Sequence, residues 1–245
     1  MDLQALRIQM GQNLAEIEQE VRRACLASGR SVDEVQILAI SKKQPIEVLQ
    51  VAYGLGIKNF GESYVQEALE KMESLAVLPD IGWEMVGHVQ SRKAKQVASF
   101  FNRIHSLDSL KLAGLLSRNR PKDLKPLEAY LEVNLAAEES KGGFHADSAS
   151  DWEALLPIVE NIQRHEGIKL VGLMAMPPLF EDSQLSRPYF ARLRNLRDFL
   201  NENLKGLNLT GLSAGTSSDF GVAIEEGATI IRIGERLLGP RNYQN

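Results

Sequence analysis

Lys42 follows the short apolar run Gln36-Ile37-Leu38-Ala39-Ile40-Ser41. Side chains alternate along a strand, so Leu38, Ile40 and Lys42 fall on one face. If Leu38 and Ile40 fill a core, the lysine emerges at its edge. Partial burial there lowers its pKa and leaves a nucleophilic amine, which is what condensation with a carbonyl requires. A solvated lysine beside Lys43 is the plainer alternative, and Lys43 itself should point outward. A second feature is Ser213-Ala214-Gly215-Thr216-Ser217-Ser218-Asp219. Small and hydroxyl residues precede a short helix here, so backbone N–H groups and hydroxyls could converge on an anion. An ordinary N-cap with a glycine turn would use the same residues. The third is Arg232, which shares a strand face with Ile230 and Gly234. An arginine turned into an apolar core must be paired, either by a ligand or by an interior carboxylate such as Glu132. Gly234 would let a ligand phosphate approach the backbone closely.

Other polar residues carry weaker signals. Asn59 and Asn134 either hydrogen-bond a ligand or cap loops, and Asp108 is placed to cap a helix. His88 is an acid, a base or a loop histidine, with the loop reading favoured. Met174 and Met176 pack at a rim, and Arg92-Lys93-Ala94-Lys95 forms a solvated helix face. His88, His105, His145 and His165 are dispersed and lack a partner cysteine pair, so no metal site is expected.

These residues need elements to position them. Residues 2–28 carry apolar residues at helical spacing, with Gly29 as C-cap. Strands follow at 36–41, 58–61, 83–86, 103–106, 128–134, 169–174, 207–213 and 229–234. Helices are expected at 46–55, 62–78, 91–101, from Asp108 onward, and at 151–165, 188–203 and 218–226. Strand–helix alternation implies parallel pairing with right-handed crossovers. Eight such units after one extra helix predict an α/β fold, a (β/α)8 TIM barrel, over a single domain, residues 1–245. In a barrel the functional groups gather where the strands end. Those ends are Lys42, Asn59, Gly87-His88, Asp108, Asn134, Met174–Met176, Ser213–Gly215 and Arg232–Gly234.

Composition sets the outer bounds. The 245 residues are 44% hydrophobic and 24% charged, with net charge −4, which is ordinary globular usage and offers no basic footprint for nucleic acid. The single cysteine, Cys25, excludes an internal disulfide and is expected to be inert. No signal core or membrane-length apolar run is present, so a cytoplasmic protein is expected.

Assembled in order, the motifs resemble the pyridoxal phosphate homeostasis family. They are Ala39-Ile40-Ser41-Lys42-Lys43-Gln44-Pro45, Asn59-Phe60-Gly61-Glu62-Ser63-Tyr64-Val65-Gln66-Glu67 and Gly87-His88-Val89-Gln90. Then come Val133-Asn134, Ser140-Lys141-Gly142-Gly143-Phe144 and Gly172-Leu173-Met174-Ala175-Met176-Pro177. The last are Leu212–Asp219 and Ile231-Arg232-Ile233-Gly234. The resemblance implies a barrel like that of alanine racemase, with pyridoxal 5′-phosphate held on Lys42 as an internal aldimine. It implies that Ser213, Gly215, Thr216, Ser217 and Gly234 meet the phosphate, that Arg232 faces the pyridine nitrogen, and that Asn59 contributes to the site. Against the family pattern, Ala214 and Thr216 replace methionines, Ser63 replaces asparagine, and Glu235 replaces a small hydroxyl residue. A carboxylate beside a dianion repels it, so the Glu235 side chain should turn away.

An arginine at the ring nitrogen disfavours its protonation and makes the ring a poorer electron sink. Nothing in the sequence places a second acid–base group opposite Lys42, and the chain ends at Asn245, soon after the last strand. The expectation is a monomeric carrier that buffers and supplies pyridoxal phosphate to apo-enzymes, with no catalytic residue assigned and no membrane partner. An amino-acid racemase-like enzyme is the alternative.

Overall fold

A computed structural model describes residues 2–136 and 142–241. Ser140, Lys141 and Asn245, named above, lie outside the described residues. The chain opens with α1 (Leu3–Ser28), whose N-terminus is capped by Asp2 accepting from the amides of Gln4 and Ala5. It ends where Gly29 turns left-handed at φ 69°. The helix buries Met10, Ile17, Val21, Ala24 and Cys25.

Alternation then begins with β1 (Gln36–Ile40), α2 (Ile46–Gly54), β2 (Asn59–Glu62), α3 (Val65–Ser74), β3 (Gly82–Met85), α4 (Ala94–Phe100), β4 (Arg103–Leu107) and α5 (Leu110–Asn119). It continues with β5 (Leu127–Asn134), the two-residue β6 (Phe144–His145), α6 (Ala149–Gln163), β7 (Ile168–Met174), α7 (Arg187–Asn203), β8 (Gly211–Ser213), α8 (Phe220–Glu225), β9 (Ile230–Ile233) and α9 (Glu235–Leu238).

Eight parallel strands pair in the order β4-β3-β2-β1-β9-β8-β7-β5, and β4 pairs with β5 to close the cylinder. This is the predicted (β/α)8 barrel with its extra N-terminal helix. The short β6 pairs with β5 alone and stands outside the ring. The strands fill the cylinder from their inward faces. Leu38, Ile40, Tyr130, Met174 and Ile230 form a small interior cluster, distinct from the larger core between strands and helices. Tyr130 fits because β7 and β8 present glycine to it. A Cβ on Gly172 or Gly211 would lie 2.5 Å or less from the Tyr130 ring or hydroxyl.

The boundaries differ from expectation at instructive places. The helix expected over 62–78 starts only at Val65, because Glu62 completes β2 and lies wholly buried. The strand expected over 207–213 shrinks to Gly211–Ser213, since Asn201 binds the main chain of Leu209 in both directions and holds that segment off the sheet. Ser109, rather than Asp108, caps α5, accepting from the Leu112 amide. Asp108 instead binds His88. The four-residue α9 was not expected.

Candidate functional site at the carboxyl mouth of the barrel

A cavity of about 510 Å³ opens where the strands end. Its lining includes Lys42, Thr216, Ser217, Arg232 and Gly234 from the predicted set, and Ser63, Glu235, Arg236 and Arg241 besides. Such a volume suits a cofactor-sized ligand.

Lys42 reaches this space from a turn. The backbone of β1 stops at Ile40, and Lys43 takes φ 58°, so Lys42 lies half-buried at the mouth while Lys43 is exposed. Burial is the chief cause that lowers the Lys42 pKa. Arg241 and Lys43 lower it further, against Glu62 and Glu67. The turn is anchored from below. The buried Lys71 donates to the Ser41 carbonyl at 2.7 Å, to Glu62 Oε1 at 2.7 Å and to Glu67 Oε1 at 2.6 Å. The Ser41 hydroxyl also donates to Glu62 Oε1, at 2.7 Å. Burial raises the Glu62 pKa despite these partners, and its second oxygen, Oε2, is buried with no hydrogen-bond partner.

Arg232 is buried, as expected of an inward arginine on β9. Its partners are not carboxylates. Nη1 donates to the carbonyl and hydroxyl oxygens of Ser213 at 2.7 and 2.8 Å, and Nη2 to the Ala175 carbonyl at 3.1 Å. Burial lowers its pKa to about 10, which still leaves it a cation at neutral pH. Behind it runs a polar chain through the barrel. Ser213 Oγ lies 2.8 Å from His105 Nδ1, and His105 Nε2 lies 2.6 Å from Glu84 Oε2. Glu84 Oε1 accepts from Gln36 and Arg103. The Tyr130 ring stacks on His105 at 4.8 Å. Burial lowers the His105 pKa most, opposed by Glu84. Burial would raise Glu84, but His105, Arg103 and Gln36 outweigh it and hold the carboxyl below its ordinary range. A neutral imidazole donating to Glu84 and accepting from Ser213 satisfies every partner in this chain.

The loop after β8 is tightly built. Gly215 takes φ 88°, and a Cβ there would lie 2.7 Å from Ala223 Cβ and 2.8 Å from Phe220 Cα. Its carbonyl accepts from the Arg232 amide. Asp219 accepts from both the amide and the hydroxyl of Thr216, at 2.7 and 3.0 Å, and so shapes the loop instead of capping α8. On the neighbouring strand, Gly234 presents bare backbone where β9 ends.

Two predicted residues stand elsewhere. Asn59 opens β2 instead of closing it, in register with Gly82, and so lies at the opposite end of the barrel. The expected strand, 58–61, also begins beside Asn59, so its place among the strand ends is inconsistent with those bounds; Glu62 and Ser63 occupy the carboxyl end. Ser213 is fully buried, and its hydroxyl is committed to Arg232 and His105. Asn134 accepts from the Ala136 amide, a loop-capping role. His88 is exposed and pairs with Asp108 at 2.8 Å. Cys25 is buried and its thiol pKa is pushed up by burial. The polar chain through His105 and Glu84 was missed, though charged residues at inward positions of β3 and β4 signal it. Arg236 and Arg241 lie past the last expected strand and gave no comparable signal.

The family model for the alanine racemase N-terminal domain matches residues 12–242. A pyridoxal phosphate homeostasis protein of Pseudomonas aeruginosa is 39% identical over 96% of each chain. One from Aquifex aeolicus is 38% identical over 95% of this chain and 98% of its own. Among solved structures, PipY of Synechococcus elongatus, determined with and without pyridoxal phosphate bound, is 33% identical with a TM-score of 0.80, over 94% of this chain and 100% of that one. Alanine racemase from Corynebacterium glutamicum shares the fold, with a TM-score of 0.64 at 13% identity over 91% of this chain and 61% of its own.

Proposed function

From the premise that this chain belongs to the pyridoxal phosphate homeostasis family, built on the alanine racemase N-terminal domain, we propose that it binds pyridoxal 5′-phosphate at the barrel mouth and buffers or supplies it. The observation that carries this reading is one cavity joining a lysine of lowered pKa, an arginine held cationic and the bare backbone of Gly234. The residues fit the group. The cofactor supplies an aldehyde that condenses reversibly with an amine, a pyridine ring and a dianionic phosphate.

Lys42 provides the amine. Its lowered pKa raises the neutral, nucleophilic fraction near neutral pH, and the Lys71 clamp on Ser41 fixes the turn that carries it. Arg232 is the cation that would stand toward the pyridine ring. A guanidinium with pKa about 10 remains charged there and opposes protonation of a neighbouring nitrogen. Thr216, Ser217 and Gly234 line the wall available to the phosphate, and Gly215 gives their loop its turn.

This electrostatic arrangement favours holding the cofactor over using it as an electron sink. The whole chain then acts as one cofactor-binding unit, a monomer in the cytoplasm that passes pyridoxal phosphate to apo-enzymes. No helix among the described residues is long and apolar enough to cross a membrane. The test is borohydride reduction of the loaded protein, peptide mapping, and transfer of cofactor to an apo-enzyme. Label on Lys42 and transfer without amino-acid turnover are expected. Label elsewhere, or robust Lys42-dependent racemisation, would overturn the reading.

A further inference from the structure

Three arginines line the cavity, and they are not equivalent. Arg232 spends its terminal nitrogens on Ser213 and Ala175. Arg236 donates to the Ser217 carbonyl at 3.1 Å and to Glu20 at 2.7 Å, and lies over the Phe220 ring. Among the described residues Arg241 has only an ion pair, Nε to Glu235 Oε1 at 3.5 Å. That is too long for a hydrogen bond, and Nε is buried with no hydrogen-bond partner. Its guanidinium hangs over the bare backbone at the end of β9: a Cβ on Gly234 would lie 3.0 Å from Arg241 Nη2.

A guanidinium carries five donors in a planar fork that matches phosphate oxygens. Arg241 therefore holds unspent donors beside Gly234. The side chain of the carboxylate that pairs with it, Glu235, is 45% exposed. Water can take over from so exposed a carboxylate at little cost.

We propose that Arg241 grips the phosphate of the ligand and that Glu235 is its internal competitor, so affinity for a phosphate-bearing ligand is set by exchange of Arg241 between the two. The proposal rests on the reading that this cavity takes pyridoxal phosphate. Glu235 neutralises the arginine in the empty site and yields to a stronger anion, which gives a carrier a built-in route to release.

The experiment compares the dissociation constants of pyridoxal phosphate, unphosphorylated pyridoxal and inorganic phosphate for the full chain and for Glu235→Gln, Arg241→Gln and Arg241→Lys. Glu235→Gln is expected to bind both phosphate-bearing ligands about threefold tighter or more, with pyridoxal unchanged within about twofold. A gain of affinity cannot come from misfolding. Arg241→Gln is expected to weaken pyridoxal phosphate about tenfold, equal to about 1.4 kcal/mol, with pyridoxal spared and Arg241→Lys partly restoring it. Unchanged or weaker phosphate binding by Glu235→Gln would overturn the proposal, as would equal losses for both vitamers in Arg241→Gln. If the parent chain binds pyridoxal phosphate no better than pyridoxal, the functional reading itself falls.

Discussion

Replacing Lys71 with methionine removes the cation beneath the reactive turn while keeping most of the side chain's volume. Lys71 is 4% exposed and Glu62 is fully buried, so solvent does little to screen them. Without Lys71, Glu62 Oε1 keeps only the Ser41 hydroxyl, and Oε2 already lacks a partner. Breaking a buried pair from one side typically costs roughly 3–5 kcal/mol. For a chain of this size that lowers Tm by about 6–20 °C. The loss has a pH signature. Burial already raises Glu62 above its unfolded pKa, so the neutral acid is the form the fold favours. The stability it contributes is complete below the unfolded pKa and is lost as pH rises through the folded one. Removing Lys71 lifts the folded value further, so the deficit should be smaller at about pH 5 than at about pH 8. Urea unfolding of parent and Lys71→Met at both pH values measures this. A deficit below about 1 kcal/mol at the higher pH would mean that the pair is not the anchor argued here. So would a deficit that does not change with pH.

Three further outcomes are expected. Lys42→Ala should abolish covalent capture yet retain weak binding, because the proposed phosphate wall uses other lining residues, Ser217 and Gly234; equal affinity of mutant and parent in an absorbance titration would contradict this. The parent's capture rate should rise with pH to a midpoint below that of an ordinary lysine, and Arg241→Gln should move that midpoint upward, since Arg241 is the leading charge that lowers the Lys42 pKa; stopped-flow mixing with pyridoxal across pH reads it. Gly215→Ala should cost about 2–4 kcal/mol, because φ 88° strains any side chain and the new Cβ meets Ala223 and Phe220; an unfolding midpoint unchanged in urea would refute that account of the loop.

The sequence carried the architecture because its signals are local and repeated. Short apolar runs, punctuated at intervals and separated by amphipathic stretches, dictate a closed parallel sheet once eight are present. Lys42 and Arg232 were legible for the same reason, since strand alternation fixes which residues share a face with Leu38 and Ile230. What failed was the assignment of strand ends. Asn59 stands among the expected ends although the strand expected over 58–61 begins beside it, and in β2 (Asn59–Glu62) the near rim belongs to Glu62 and Ser63. The fate of Ser213 was illegible for a different reason. Whether a hydroxyl faces a ligand or binds His105 and Arg232 depends on residues distant in the chain, one of them 108 positions away.

Arg232 could have been neutralised by an adjacent carboxylate, and the barrel takes another course. Asp219 and Glu132 act on the arginine only through space, and along its hydrogen bonds the first carboxylate, Glu84, is three links away, with Ser213 and His105 between them. Glu84 itself is shared with Arg103. If the proposed ring position holds, a carboxylate touching Arg232 would cancel the field that would keep a nearby pyridine nitrogen unprotonated. A neutral histidine relays polarity without cancelling it, because it carries no net charge. On this argument His105→Gln, which can still bridge a hydroxyl and a carboxylate, should preserve the absorption spectrum of bound cofactor, whereas Ser213→Asp should shift it towards that of a protonated pyridine. The reverse pattern, or no spectral change in Ser213→Asp, would show that the arginine does not govern the ring.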